Sequence, residues 1–351
     1  ESFAGPGRRI SARAELAEVG LAEMREALWG ALPDSLLYVE LDGRLSSTLS
    51  LSWEPGSTAA GPGARVRGQL TARDVRIAGE YGEYAVGPIN GTIPIALGPR
   101  DSGDPTRAPE LAAFEPAEFE RLRRQYVGST ADALGPASLT VGEISYGFPL
   151  LQNLEAWLSA ETGVMEIARF GADAFGGRLS GAAVVDASSD VQYNLGLLCE
   201  GVRLSEVCRR IAPIEGYLSG CVDGSARLRG TRGGLSGVVG RADFWTYSRK
   251  GEKTKISKRL LEKIASRSMK MVFGDREFDR GIMSLYMKEG WLIFKELEIS
   301  NRNLLGVTDL SVKVVPLNNR IAIDRLAGSI TAAAQRAGAG QPAIEPAMGA
   351  P

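Results

Sequence analysis

The sequence predicts a mainly β protein: a long, curved antiparallel β-sheet that forms a groove, built from two related units with short amphipathic helices. Three features of the chain carry this prediction. They are a long run of alternating apolar and polar residues, a repeat about 181 residues apart, and many short alternating segments separated by glycine-containing turns. Such a sheet must cover its apolar face with helices, a second sheet or a ligand of similar length.

The longest alternating run covers residues 37–53, where odd positions are mostly apolar and even positions are polar. Side chains of a strand point to opposite faces with period two, so this strand has one apolar and one wet face. That pattern is typical of antiparallel sheets with one solvated face. At about 3.3 Å per residue the run spans about 50 Å, far longer than an average strand. The first candidate groove residues are therefore Leu37, Val39, Leu41, Leu45, Leu49 and Leu51.

Two segments of the chain repeat the same order of residue types. In each, a Val-x-Leu-x-Glu helix start is followed by a proline and an Asp-Gly pair, and then by a Gly-x-apolar strand with an aspartate. Repeats of this length predict two similar units that adjoin and bury one continuous face. The matching pieces are 19–24 with 202–207, Asp42-Gly43 with Asp223-Gly224, and 68–75 with 237–244.

The predicted organisation has four parts. A first β unit with a helix spans 1–100, a loop and helix insertion spans 101–135, a second β unit spans 136–328, and 329–351 is a disordered Ala/Gly/Pro tail. Each unit begins with a strand and a short helix, followed by strands between turns. Predicted strands are 9–16, 37–53, 165–170, 177–186, 191–199, 218–229, 235–245, 281–288, 291–300 and 304–315, and predicted helices are 21–30, 116–126, 149–160 and 204–211.

Apolar residues of the other strands would usually form a core. In this architecture the same residues would line a ligand groove, so the two interpretations coincide. These further groove candidates are Ile93, Ile95, Tyr193, Leu195, Leu197, Val222, Leu228, Val239, Ile293, Leu297 and Ile299.

Composition limits the chemistry. The formal net charge of −1 selects no class of partner, and the absence of histidine removes Ser-His-Asp, Cys-His and His-metal sites. No cofactor is expected. Cys199 is predicted to be a buried free thiol; a bridge between Cys208 and Cys221 is a less favoured alternative. The chain starts with Glu1 and has no stretch that could span a membrane, so we expect a processed piece whose anchor lies upstream.

One region, 249–272, is strongly basic. Ser257 can cap a helix there, with Ile256 and Leu261 as a hydrophobic staple. One interpretation is a helix on an anionic membrane surface; the favoured one is a surface helix packed on the sheet, because its apolar face is narrow. Nucleic-acid binding is not expected, since no aromatic residues lie between the lysines. The membrane-surface candidates are Lys250, Lys253, Lys255, Lys258, Arg259 and Lys263.

Carboxylates that could form acid–base pairs are Asp186, Asp190, Asp223, Glu296 and Glu298. Their alternation or turn context favours solvated strand positions over catalysis. The glycine-rich strings match neither a P-loop nor a dinucleotide fingerprint and are interpreted as turns.

Spaced Gly and Leu motifs resemble those of the AsmA-like envelope proteins, with the YdbH- and TamB-type relatives as the nearest subgroup. The resemblance covers about 140–325 well and about 8–97 more loosely; the region 249–272 and the insertion at 101–134 depart from it. The motifs that carry it are at 165–167, 175–181, 200–207, 218–237 and 290–306.

That resemblance implies a non-enzymatic β-groove protein in the periplasm of a Gram-negative bacterium, anchored in the inner membrane, that moves glycerophospholipid toward the outer membrane. Its partners would be phospholipid, both membranes and an envelope protein. Each CH₂ group moved into water costs about 0.8 kcal/mol, so an apolar channel would remove most of the barrier. One alternative is an envelope assembly scaffold or chaperone that recruits β-rich partners by its edge strands. The other is a carbohydrate-processing enzyme using Asp223 and Glu296.

Overall fold

The structure is a computed structural model. It describes residues 10–27, 38–54, 63–79, 84–98, 137–161, 164–186, 191–210, 214–231, 237–264, 274–302, 308–313 and 319–323. The predicted helix at 116–126, the insertion at 101–135, the tail at 329–351 and Leu37 lie outside these ranges.

One large antiparallel sheet of fifteen strands makes up most of the described chain. Its strands are long because apolar and polar residues alternate along them, as the sequence predicts. They are β1 (Ile10–Gly20), β2 (Val39–Glu54), β3 (Gly63–Gly79), β4 (Tyr84–Leu97), β5 (Ala137–Tyr146), β6 (Pro149–Glu161), β7 (Val164–Ala174), β8 (Gly177–Asp186), β9 (Gln192–Arg203), β11 (Cys221–Thr231), β12 (Val239–Tyr247), β15 (Arg280–Lys288), β16 (Trp291–Arg302), β17 (Thr308–Lys313) and β18 (Arg320–Ala322).

The strand order in the sheet follows the chain order from β1 to β9 and continues through β11, β12, β15 and β16. The last full strand, β16, carries β17 along one half and β18 along the other. Because β1 pairs only with β2 among the described strands, the sheet is open. The predicted fold class, a mainly β protein with one large antiparallel sheet and few short helices, is therefore confirmed.

The remaining described elements are three helices and a second, small sheet. The helices are α1 (Leu21–Ala27), α2 (Leu204–Arg210) and α3 (Lys258–Ile264), and the small sheet has the order β10 (Leu218–Ser219), β13 (Lys255–Ile256) and β14 (Arg276–Glu277). All of them lie at the strand ends along one side of the large sheet, which we call the helix rim. The strand ends along the opposite side, where β2 leads to β3 and β15 to β16, form the loop rim. We call the small sheet with α3 the cap.

The predicted capping of α3 is confirmed. The Leu260 backbone N–H donates to Ser257 Oγ at 3.2 Å, which satisfies one of the free donors at the helix start. Ile256 and Leu261, the predicted staple, are both fully buried in one cluster. The helices predicted at 21–30 and 204–211 correspond to α1 and α2.

The helix predicted at 149–160 is wrong, because these residues form strand β6. Strand pairing on both sides, with β5 and β7, overrides the helix-like spacing of the leucines. Asn153 adopts φ 52°, and the pairing with β7 shifts between Gln152 and Glu155, so the period-two pattern breaks there.

The two segments matched by the repeat contain the same order of elements. In each, a strand runs directly into a seven-residue helix, β1 into α1 and β9 into α2, and two strands of the large sheet follow. Both Asp-Gly pairs lie at a shift in register: Asp42-Gly43 where β2 meets β3, and Asp223-Gly224 where β9 meets β11. Such shifts are β-bulges, which locally kink a strand and increase its twist.

Candidate functional site

One face of the large sheet is apolar along its whole length. Residues that pair directly across antiparallel strands point to the same face, so the register follows this face from strand to strand. One row across it runs through Leu45, Ala72, Gly91, Leu139, Ala156, Phe170, Gly181, Leu197, Ala226, Ala242, Leu285 and Phe294. We call this the apolar face and its reverse the polar face.

Most predicted groove residues lie on this apolar face. The register places together Val39, Leu41, Leu45, Leu49, Leu51, Ile93, Ile95, Tyr193, Leu195, Leu197, Val222, Leu228, Leu297 and Ile299. Of these, Val39 and Val222 are buried, Leu51 is exposed, and the others are half-buried. Leu37 lies outside the described residues.

Val239 does not line the apolar face. It pairs with Arg229, while its neighbour Gly240 pairs with Leu228 of the apolar face. The repeat matched Val239 with Leu70, but β3 has a bulge between Ala72 and Val75 that reverses the alternation, and the β11–β12 pairing has none. The prediction that Val239 lines the apolar face is therefore wrong, because the alternation in β12 is one residue out of phase with that in β3.

Ile293 also lies on the polar face, opposite Tyr286. A register shift between Ser284 and Leu285 inserts one extra residue into β16, so alternation changes phase along the strand. Leu297 and Ile299 keep the predicted face, but before the bulge the apolar positions are Leu292 and Phe294 rather than Ile293.

The sequence reasoning also missed residues of the apolar face. Several belong to strands it did not assign or to the segment it assigned to a helix. The alternation of apolar and polar residues within β3 and β5 could have identified these strands and their apolar face. In β6 the irregular backbone at Asn153 hid the corresponding pattern. The missed residues include Val66, Leu70, Ile89, Leu139, Leu154, Phe170, Phe244, Met283, Leu285 and Phe294.

The apolar face is long. Its path crosses fourteen strands, and at about 4.8 Å between neighbours it extends for about 60 Å. An acyl chain fills one leaflet of a hydrocarbon core about 30 Å thick, so its reach is about 15 Å. The face could therefore hold several acyl chains end to end, which a pocket for one small molecule could not.

In the middle of the sheet, the described apolar side chains of this face pack only against one another. One cluster centres on buried Ala137, Ala156 and Leu158, and another on Ala226, Ala242 and Leu285. All side chains of these two clusters come from the apolar face of neighbouring strands. Within the described part of the chain, no helix or second sheet contributes to them.

Both ends of the apolar face are partly covered at the helix rim. At the first end, α1 places Leu21 and Met24 against Ala72 and Val75. At the other end, the cap places Ile256, Leu261 and Phe278 in one cluster with Leu310, and Ile299 and Val312 pack against it. Apolar side chains toward the loop rim are more open: Ile10, Leu51, Leu97 and Ile321 are 55%, 42%, 54% and 39% exposed.

Two of the candidate acid–base carboxylates, Asp223 and Glu298, have structural partners. Asp223 Oδ1 accepts the Gly201 N–H at 2.7 Å. Desolvation acts to raise the pKa of Glu298, but the hydrogen bond and the charge of Lys313, whose Nζ lies 3.4 Å away, contribute to lowering it overall. Asp223 lies on β11 and Glu296 on β16, three strands further across the sheet, so they are at least about 14 Å apart. The two carboxylates of a glycosidase act at separations of up to about 9.5 Å. The geometry therefore does not favour the carbohydrate-processing alternative. Asp190 lies outside the described residues.

The described part of the basic region, 249–264, divides between the cap and solvent. Leu260 and Leu261 pack in the cap, so these two residues are not available to enter a bilayer. Lys253 pairs with Glu277 at 3.0 Å, Lys258 with Glu262 at 3.6 Å, and Arg259 lies over the Tyr217 ring. Lys250 and Lys255 are exposed, and the Lys263 side chain is outside the described set. A membrane-surface role for these cations stays a prediction.

All three cysteines are free and buried. Burial raises the pKa of Cys199 to about 12, with the nearby Asp223 charge adding to the rise, and burial also raises the pKa of Cys208 and Cys221. The Cys208–Cys221 bridge is therefore not formed in this structure.

We expect the folded protein to react very slowly with a thiol reagent at mildly alkaline pH, because only an accessible thiolate reacts quickly. Unfolding in denaturant should release three reactive thiols, which absorbance of the reagent would count. Fast reaction of one thiol in the folded protein would contradict the burial described above.

The described residues hold no group of three side chains suited to a metal ion. None of the helices in those ranges is long and apolar enough to cross a membrane. Comparison with protein-family models, curated proteins and solved structures finds no match to this chain. Membership of the AsmA-like proteins therefore stays a prediction.

Proposed function

We propose that this protein is a non-enzymatic envelope protein that binds phospholipid acyl chains along its apolar face and conducts them between membranes. The supporting observation is the middle of that face, where half-buried apolar side chains surround two small buried centres and no described helix or strand of the small sheet packs on them. Bound acyl chains would bury this surface, and each CH₂ group removed from water contributes about 0.8 kcal/mol.

The arrangement of the two faces supports the same proposal. The polar face carries ion pairs such as Arg73 with Glu18 and Arg241 with Asp243, so its charges do not suit an acyl chain, whereas the apolar face does. A two-chain lipid crossing bare water would face a barrier well over about 20 kcal/mol, which a continuous apolar path largely removes. Conduction needs no catalytic group. The setting we propose is the periplasm of a Gram-negative bacterium.

The experiment is mass spectrometry of small molecules that remain bound after purification without detergent. We expect glycerophospholipids at about one molecule or more per chain, because the face is longer than one lipid. A protein of similar size, purified from the same cells, controls for lipid carried over nonspecifically. Absence of lipid, together with failure to bind a fluorescent phospholipid added afterwards, would remove the proposal.

One observation favours the scaffold alternative. Among the described strands β1 pairs only with β2, and its first nine residues are all exposed, so its other side could pair with a strand of a partner protein. A protein without lipid that captures a β-rich envelope protein through β1 would support this second candidate. Replacing Ala12 and Ala14 with proline would block such pairing, because proline cannot donate to a ladder.

A further inference from the structure

A strip of basic and aromatic side chains lies on the polar face toward the loop rim. It spans β11, β12, β15, β16 and β18, and the register places its members in two adjoining rows. One row contains Arg229, Val239, Lys288 and Trp291, and the next contains Arg227, Arg241, Tyr286, Ile293 and Arg320. With Lys295 from the β16 bulge, we call these residues the basic strip.

The cations of the strip are organised around its aromatic rings. Arg241 and Lys295 lie 5.8 Å and 6.0 Å from the centre of the Tyr286 ring, and Arg320 lies 4.8 Å from that of Trp291. These are cation–π contacts, which hold a cation in place without neutralising it. Arg229, Lys288, Lys295 and Arg320 are exposed, and Trp291 is 38% exposed.

Carboxylates neutralise only part of this charge. Asp243 binds Arg241 through two hydrogen bonds of 2.7 Å and 3.1 Å, and Glu289 pairs with Lys288 at 3.3 Å. The register also places Arg227 directly opposite Arg241, and like charges in that position destabilise a sheet. Among the described residues the cations of the strip outnumber these two carboxylates, and an anionic partner would offset the excess charge.

We propose that the basic strip binds an acidic segment of a protein partner. Five strands at about 4.8 Å spacing make it about 19 Å long, the span of an extended peptide of about six residues, and two rows make it about 7 Å wide. Arg, Tyr and Trp are the residues that contribute most to protein–protein binding. The strip lies on the reverse of the apolar face, so this proposal does not depend on lipid binding.

The geometry favours a peptide over other anions. A flat membrane surface would also meet the carboxylates of the adjoining rows, Asp223, Glu296 and Glu298. Bases of a nucleic acid need open ring faces to stack, but cations already lie over Tyr286 and Trp291. A narrow, flexible chain of carboxylates fits the strip without either conflict.

The test is fluorescence anisotropy of a labelled deca-glutamate peptide with the whole chain. We expect binding at about 50 mM salt that weakens at least about tenfold at about 500 mM, because exposed charges are screened. The double variant Arg229→Glu with Arg320→Glu should weaken binding at low salt by at least about tenfold. The matched control is Arg67→Glu, an exposed arginine on the polar face of β3, which should leave binding unchanged.

Three outcomes would overturn the proposal. The peptide does not bind the unmodified protein, or the double variant binds it as tightly as the Arg67→Glu control does. In the third, vesicles containing phosphatidylglycerol or a single-stranded oligothymidine bind more tightly than the peptide and lose binding in the double variant. That result would assign the strip to a membrane or a nucleic acid instead.

Discussion

Leu195→Asp is expected to lower bound phospholipid at least about tenfold while the sheet stays folded. Leu195 lies in the middle of the apolar face between Ala183 of β8 and Leu228 of β11, and it is half-buried. A carboxylate there must lose its water when an acyl chain passes, at a cost of several kcal/mol. In the empty protein the same carboxylate can stay hydrated, so the loss of stability should be only about 1–2 kcal/mol.

The measurement is mass spectrometry of bound lipid, with circular dichroism and a thermal melt to check the fold. Leu49→Asp tests a second position of the apolar face, and Ser50→Asp is its matched control on the next residue of β2. Ser50 is exposed on the polar face opposite Arg67, so a carboxylate there should leave lipid loading unchanged. Unfolding caused by Leu195→Asp would instead indicate a closed core, and retained lipid would contradict the proposed site.

Leu261→Ala is expected to destabilise the cap by about 2–5 kcal/mol. The Leu261 side chain is 1% exposed and packs in one cluster with Ile256, Phe278 and Leu310. Truncation removes apolar burial and leaves a cavity that the short strands of the small sheet cannot easily fill. Since the cap is a small unit at one corner of the sheet, we expect local opening before the large sheet unfolds.

Amide hydrogen exchange separates local from global opening. Residues of β13, α3 and β17 should exchange faster in Leu261→Ala, while β6 to β9 should keep the protection of the unmodified protein. Lys258→Ala is the matched control on the same helix. Its pair with Glu262 is exposed, so its effect should stay within about 0.5 kcal/mol. An equal effect of both variants would mean that α3 does not close the cap.

The opening of the cap would also test how the apolar face ends. Ile299 and Val312 of the sheet pack beneath the cap, so Leu261→Ala should expose them. If acyl chains stop at the cap, the variant should bind more lipid than the unmodified protein does. Unchanged lipid content would indicate that chains run only along the loop rim, where Leu51, Leu97 and Ile321 are open.

Much of the fold was predictable because alternation is a local property. The run at 37–53 identifies β2 by itself, and the residues before α1 and α2 mark where two strands end. Leu195 and Leu197 both lie on the apolar face because β9 keeps its phase through both, and its register shift comes only after Cys199. Ile293 was placed wrongly because a bulge lies between it and Leu297.

What the sequence by itself determined is the class of fold: long antiparallel strands with one apolar side and a capped helix after Ser257. Tertiary structure decided the face of each residue, since one extra residue at a bulge moves every later side chain to the other side of the sheet. It also decided that 149–160 is a strand, because hydrogen bonds to β5 and β7 outweigh local preference. The basic strip exists only through this pairing, which joins arginines and aromatic rings from five strands far apart in the chain.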